Sequence, residues 1–355
     1  MTALASLTRS AQLIVDLDAV AANYRHLKSL SGDAGLSGVV KAQSYGLGAG
    51  PVARRLSEEG CKEFFLATPE EGEQLRTALG TAKATIWVLN GYDAAAASIF
   101  ETQGLSPVLN TLEQVSAYAS SGLTPHFALQ VDTAMNRLGI GVKDAVTLGG
   151  QGLNPALVLS HLACSEQVDH RLNQRQLERF IEAASAFSGP RLSLANTGGI
   201  YLGDAFHFDL CRPGIGLYGA TAYPGQKHGL VPVATLQAPI LQIRELQPGD
   251  TVGYGASFTA DRVMRAATVA AGYADGLPRA LSNTGWGRWN DVGTPVLGKV
   301  SMDLTVVDIT DAPNAKVGDW ISFLGPDLDA LSVAAETLPY ELLTGIGAGV
   351  KRVYR

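Results

Sequence analysis

The sequence predicts an α/β chain: an N-terminal TIM-like (β/α)8 barrel followed by a C-terminal, mainly β domain. Three observations predict it. Over the first 225 or so residues, strand-like apolar runs alternate with helical segments. From Gly38 onward eight such runs can be counted, the number a closed parallel barrel needs. After about Pro224 helical periodicity mostly stops and β-rich runs separated by turns take over. The expected domains are 1–228 and 229–355, with the first ten or so residues able to join the second. A doubly wound sheet is the competing architecture, but no Gly-x-Gly-x-x-Gly follows the first strand.

Taken in order, Leu13, Val15 and Leu17 alternate with polar neighbours and read as a strand, and Asp18 reads as the cap of a helix burying Val20, Tyr24 and Leu27. The eight barrel strands fall at 38–41, 63–67, 84–89, 106–109, 126–131, 156–161, 191–195 and 208–211. Thr68-Pro69-Glu70-Glu71 has the form of a capping box with proline at the first helical position. Asn110 reads as the cap of the helix that follows it, and Gly60 and Gly80 sit where helices should stop. In the second domain 236–243, 267–271, 294–309 and 320–324 read as strands, with turns at Gly249-Asp250 and Gly318-Asp319 and one helix from Ser332 to about Leu338.

Composition narrows the class. The chain has 355 residues, 46% of them apolar and 17% charged, so a mainly disordered chain is excluded. Net charge is −6 with no basic run, which disfavours nucleic acid as a partner. Cys61, Cys164 and Cys211 are widely spaced and form no metal-binding pattern, and no stretch is apolar for long enough to span a membrane. The expected location is the cytoplasm, with no export signal.

Barrel enzymes carry reactive groups at the C-terminal ends of their strands. The strand 38–41 ends in Lys41, followed by the glycine-rich Tyr45-Gly46-Leu47-Gly48. A lysine closing an apolar strand has its ammonium destabilised, which suits a Schiff base or a general base; a tip reaching solvent at the barrel mouth is the equal alternative. Other strand ends are polar too: Gln130, Asp132 and Arg137; His161; Asn196-Thr197-Gly198-Gly199; Arg212-Pro213-Gly214-Ile215-Gly216. Glycine-containing segments after the last two strands are where barrels commonly hold phosphate. A lysine on one strand and a phosphate cradle on the last two suggest pyridoxal phosphate (PLP).

The segment 39–48, Val-Val-Lys-Ala-Gln-Ser-Tyr-Gly-Leu-Gly, resembles the PLP-lysine signature of alanine racemases. Segments 131–139, 212–219, 253–258, 272–276 and 298–303 are similar to the family's other landmarks, in the family's order, and the resemblance covers about Gln12 to Val353. It implies interconversion of L- and D-alanine in a homodimer, supplying D-alanine for cell-wall peptidoglycan. Lys41 would carry PLP and serve as base on the D-alanine side. Tyr254 of the other subunit would be the base on the L-alanine side. Arg137 would contact the PLP phenolic oxygen and the substrate carboxylate. Tyr45, Thr197, Gly214 and Ile215 would bind phosphate, Asn196 would support that loop, and His161 would lie near the pyridine ring. Arg212 would face the pyridine nitrogen; as a permanent cation it would leave that nitrogen unprotonated and favour reprotonation over side reactions. Met302 would contact substrate through its backbone, and Tyr273, Arg279, Lys299 and Asp303 would line the entrance.

Three departures from the family's usual pattern stand out. Gln130 stands where many members have a carbamylated lysine that orients the arginine; its amide oxygen is a weaker acceptor, so a chloride-sized anion, or at least ordered water, is expected beside Gln130 and Arg137. Ala348 stands where a tyrosine is common, which implies a wider entrance and leaves a broader or serine-preferring racemase open. Gln43-Ser44 replaces the more usual pair before the tyrosine. A basic amino-acid decarboxylase of the same fold would show a glycine triplet and a Cys-Asp pair, and neither is present. A non-catalytic PLP-binding protein is disfavoured by the presence of both Lys41 and Tyr254.

Overall fold

A computed structural model describes residues 10–124, 126–220 and 228–355; Pro224 and Gly225, the expected punctuation between the domains, lie outside them. The chain divides into two compact units. Val20–Leu230 form one, and Val231–Arg355 with the described residues up to Ala19 form the other.

The first unit is a closed barrel. Gly38–Val39, Glu63–Leu66, Thr85–Val88, Ser106–Leu109, Ala128–Asp132, Leu157–Leu159 and Arg191–Ser193 pair in sequence, all parallel. The eighth strand, Leu210–Cys211, closes the ring. On one side Asp209 N–H donates to Leu192 O and Arg212 N–H to Ala195 O. On the other, Leu210 and Cys211 pair parallel with Gly35 and Leu36, just ahead of the first barrel strand. Strand residues such as Phe64, Phe65, Ile86, Val108, Leu129 and Val158 are fully buried. Their apolar runs are continuous because a parallel barrel strand meets side chains on its inner face and helices on its outer face.

The helix signals held with small shifts. Thr68 and Glu71 form a reciprocal capping box over the helix Pro69–Leu79, which ends at Gly80 with φ +58. Thr111, not Asn110, caps the helix Leu112–Ala119; Asn110 instead donates its side-chain amide to Leu89 O and Val108 O. Asp16, not Asp18, accepts from Ala19 N–H at the start of Leu17–Leu30, so Leu17 already belongs to the helix.

The strand Gln12–Val15 belongs to the second unit, where it pairs antiparallel with Ala234–Leu246 and parallel with Lys351–Tyr354. Ala234–Leu246 is the spine. Its first half pairs with Trp320–Leu324, its second with Met264–Val269, and the register shifts between Ile240 and Gln242. Pro239 lies at that handover, where a residue without an N–H is tolerated. The run 294–309 is not one strand: Val292–Pro295 and Thr305–Asp308 are separated by a loop that carries Lys299, Met302 and Asp303. The helix expected from Ser332 spans Leu328–Ala334, a second follows at Pro339–Thr344, and the strand Trp286–Trp289 was not anticipated. Among the described residues no helix is long and apolar enough to cross a membrane.

Candidate active site

The strand expected to end in Lys41 stops earlier. Val40 N–H still bonds Phe65 O, but from Ala42 the backbone turns left-handed: Ala42, Gln43, Ser44 and Tyr45 have φ of 50, 55, 53 and 57. Ser44 N–H to Val40 O and Gly46 N–H to Ala42 O close this left-handed turn. For residues with a Cβ it costs roughly 1–2 kcal/mol each, and it persists only where its surroundings hold it. The turn carries Tyr45 into the barrel, where its ring lies 4.9 Å from that of Tyr218 and burial pushes its hydroxyl up to about 12.

Four basic groups converge on this end of the barrel. Burial and the neighbouring Arg137 hold the Lys41 ammonium below the ordinary lysine range, while Glu71 acts in the opposite direction. Burial, with Arg212, Arg137 and Lys41 nearby, drives His161 down to about 3, so its ring is neutral at neutral pH. Arg212 is buried and its guanidinium is lowered to about 10 by desolvation. It donates to two neutral oxygens, Ser193 Oγ and Ser160 O. A buried cation held by neutral acceptors, with further cations around it, favours an anionic ligand.

The loops after the last two strands form a close cradle. Asn196 Oδ1 accepts from Gly199 N–H, and Thr197 Oγ1 accepts from Gly214 N–H and Gly216 N–H at 3.1 and 3.2 Å. A Cβ on Gly214 would fall 2.3 Å from the Tyr45 hydroxyl oxygen. Glycine there lets the Tyr45 hydroxyl come up against the backbone beside Ile215. Arg137 is carried by a loop held from below: Asp132 Oδ1 accepts from the N–H groups of Ala134, Met135 and Asn136, and Gln130 Nε2 donates to Leu138 O at 2.8 Å. Gln130 therefore reaches the arginine's loop through backbone.

The other expected residues share one surface of the second unit. Tyr254 opens a short turn between Gly253 and Gly255, both at φ +71, beside Lys299. Tyr273 N–H donates to Ser301 O and Ala274 N–H to Met302 O, while Val300 N–H bonds Ser282 Oγ, next to the Arg279 turn. Asp303 is near enough to Asp275 to help raise its carboxyl above the usual range, after burial. Tyr254 is 70% exposed, Met302 54% and Tyr273 44%, which is unusual for large apolar side chains gathered on one surface. Ala348 is exposed as well.

The model of the alanine racemase N-terminal domain matches residues 15–222, and that of the C-terminal domain residues 233–354. This chain belongs to the alanine racemase family. An alanine racemase of Cereibacter sphaeroides is 42% identical over 97% of this chain and 98% of its own, and a catabolic alanine racemase of Agrobacterium fabrum is 40% identical over 97% and 92%. The alanine racemase of Bartonella henselae, solved with covalently bound pyridoxal phosphate, superposes with a TM-score of 0.90 at 36% identity over 98% of this chain and 99% of that one. The biosynthetic alanine racemase of Pseudomonas aeruginosa gives 0.91 at 33% identity, over 98% and 100%.

Several residues that support this candidate site carry no signal in the sequence. Ser160 and Ser193 hold Arg212, and Gln176, fully buried, ties the His161 segment through His161 O and Ala163 N–H. Nothing in their local sequence marks them. Glu71 was visible only as a capping residue.

Proposed function

We infer that the chain interconverts L-alanine and D-alanine with PLP as cofactor, and that Lys41 and Tyr254 are its two proton carriers. The observation that carries this reading is the gathering of Lys41, Arg137, His161 and Arg212 around one barrel mouth with a glycine cradle beside them. These residues fit the cofactor: a depressed lysine for the covalent link, Tyr45, Thr197, Gly214 and Ile215 with Asn196 behind them for the phosphate, Arg137 for the phenolic oxygen, and Arg212 for the pyridine nitrogen. When bound, PLP stabilises negative charge at the substrate α-carbon. Lys41 Nζ takes or returns the α-proton on one face, and the lowering of its ammonium by burial and Arg137 eases that transfer. Tyr254 Oη does so on the opposite face, which inverts the centre. Arg137 orients the substrate carboxylate, Met302 contacts the substrate through its backbone, and Tyr273, Arg279, Lys299 and Asp303 line the approach. Arg212 would face the pyridine nitrogen as a donor that stays a cation, which would favour reprotonation of the substrate over side reactions. A chloride-sized anion beside Gln130 and Arg137 supplies the charge that an amide lacks. The product D-alanine serves cell-wall peptidoglycan.

Incubation with L-alanine in D₂O is expected to give D-alanine carrying deuterium at the α-carbon. The rate should persist in bicarbonate-free buffer and fall when chloride is withdrawn. Lys41→Ala should lose the exchange together with the borohydride-trapped PLP. Trapping at another lysine, or racemisation without deuterium uptake, would refute the assignment. A broader substrate range is the second reading, favoured by the exposed Ala348 where a tyrosine is usual. Comparable kcat/KM for alanine, serine and larger amino acids would support it.

A further inference from the structure

We propose that Glu71 is a positioning residue for Lys41: one carboxylate oxygen holds the lysine's left-handed turn and the other holds the start of the helix behind it. The proposal rests on the reading of Lys41 as the PLP anchor. Glu71 Oε1 accepts from Ala42 N–H at 2.7 Å, the peptide directly after Lys41. Glu71 Oε2 accepts from Ala67 N–H at 2.7 Å and from Thr68 N–H at 3.4 Å. One turn further along the same helix, Gln74 Oε1 accepts from Gln43 Nε2 at 2.9 Å, and Gln43 Oε1 accepts from Ala49 N–H at 3.3 Å. The helix Pro69–Leu79 thus grips two successive residues of the turn, Ala42 by a charged acceptor and Gln43 by a neutral one.

Both contacts answer a physical need. Four successive residues with a Cβ lie in the left-handed region, where the chain has no intrinsic reason to stay. A carboxylate can accept on both oxygens at once, whereas a glutamine would turn one of its two ends into a donor facing an N–H. Glu71 is also the negative charge that offsets burial and Arg137 at Lys41. The charged and titratable groups around Lys41 are Glu71 on this helix, Arg137 on the loop after Ala128–Asp132 and His161 after Leu157–Leu159, with Arg212 after Leu210–Cys211 acting on the same His161. The pair Gln43-Ser44, which departs from the family's usual sequence, gains in Gln43 a role on this clasp.

The test compares the full chain with Glu71→Gln and Gln74→Ala. The fraction of Lys41 labelled by an amine-reactive reagent, read by peptide mass spectrometry before PLP is added, gives a pH midpoint. PLP affinity is measured separately by ultrafiltration. Glu71→Gln should lower the midpoint by about one pH unit, because an opposite charge has been removed. It should also raise the Kd for PLP about tenfold. Gln74→Ala, which removes only an exposed neutral bond, should leave the midpoint in place and raise the Kd about threefold. An unmoved midpoint in folded Glu71→Gln overturns the proposal. If Glu71→Gln does not fold, unchanged PLP affinity in Gln74→Ala overturns it. Borohydride-trapped PLP on a different lysine of the unaltered chain would instead refute Lys41 as the anchor, while the midpoint comparison would still decide whether Glu71 acts on Lys41.

Discussion

His161 shows how a single residue records the charge of its surroundings. Burial and three neighbouring cations bring its imidazole down to about 3, against about 6.5 for a free histidine. Between those values the unfolded chain binds a proton that the folded chain refuses. Stability from this site is therefore complete above about pH 6.5 and is lost as the pH falls toward 3. Without PLP, the urea midpoint should drop between pH 7 and pH 5, and His161→Gln should drop less over the same interval at equal protein concentration. Equal drops would mean that the ring is not held neutral by its neighbours. At this scale the sequence was a good guide to chemical type and a poor one to support. Lys41, Arg137, His161 and Arg212 announced themselves as basic residues at strand ends. Ser160, Ser193 and Gln176 did not, because a hydroxyl or amide gains its role from a partner distant in sequence.

At the scale of elements, apolar runs located the barrel strands to within a few residues, since burial on both faces writes an uninterrupted signal. Their ends were less legible. Lys41 and His161 were read as closing residues of strands, but the ladders stop at Val39 and Leu159. The left-handed turn after Lys41 could not be seen at all. Ala42, Gln43, Ser44 and Tyr45 carry none of the glycine or asparagine that usually marks positive φ, and Ala42 N–H and the Gln43 side chain bond to Glu71 and Gln74 outside the segment. The cradle depends on that turn. Tyr45 is buried and lies against Tyr218, so its hydroxyl has little freedom to retreat from a new Cβ at position 214. Gly214→Ala, with its methyl 2.3 Å from that oxygen, must displace the ring or the loop. PLP titration followed by ultrafiltration should show affinity weakened at least about tenfold. Wild-type affinity would mean that the cradle takes no part in phosphate binding.

Across the whole chain, the change in texture after the barrel was legible because a parallel barrel and an antiparallel sheet write different periodicities. What the sequence could not reveal was that Gln12–Val15 pairs with both Ala234–Leu246 and Lys351–Tyr354; pairing over such separations leaves no local trace. The proposed proton carriers are divided in the same way: Lys41 lies in one compact unit and Tyr254 in the other. Tyr254, Met302 and Tyr273 are exposed in the single chain. If each site takes Lys41 from one subunit and Tyr254 from its partner, Lys41→Ala and Tyr254→Phe are each inactive alone and complementary together. Subunit exchange at equal concentrations makes half of the dimers mixed, and each mixed dimer has one intact site of two. About a quarter of the unaltered activity should then return. The recovered rate should rise and fall with the mixed-dimer fraction, measured by native mass spectrometry as the mixing ratio is varied. Confirmed exchange with no recovery would place both residues of a working site in the same subunit.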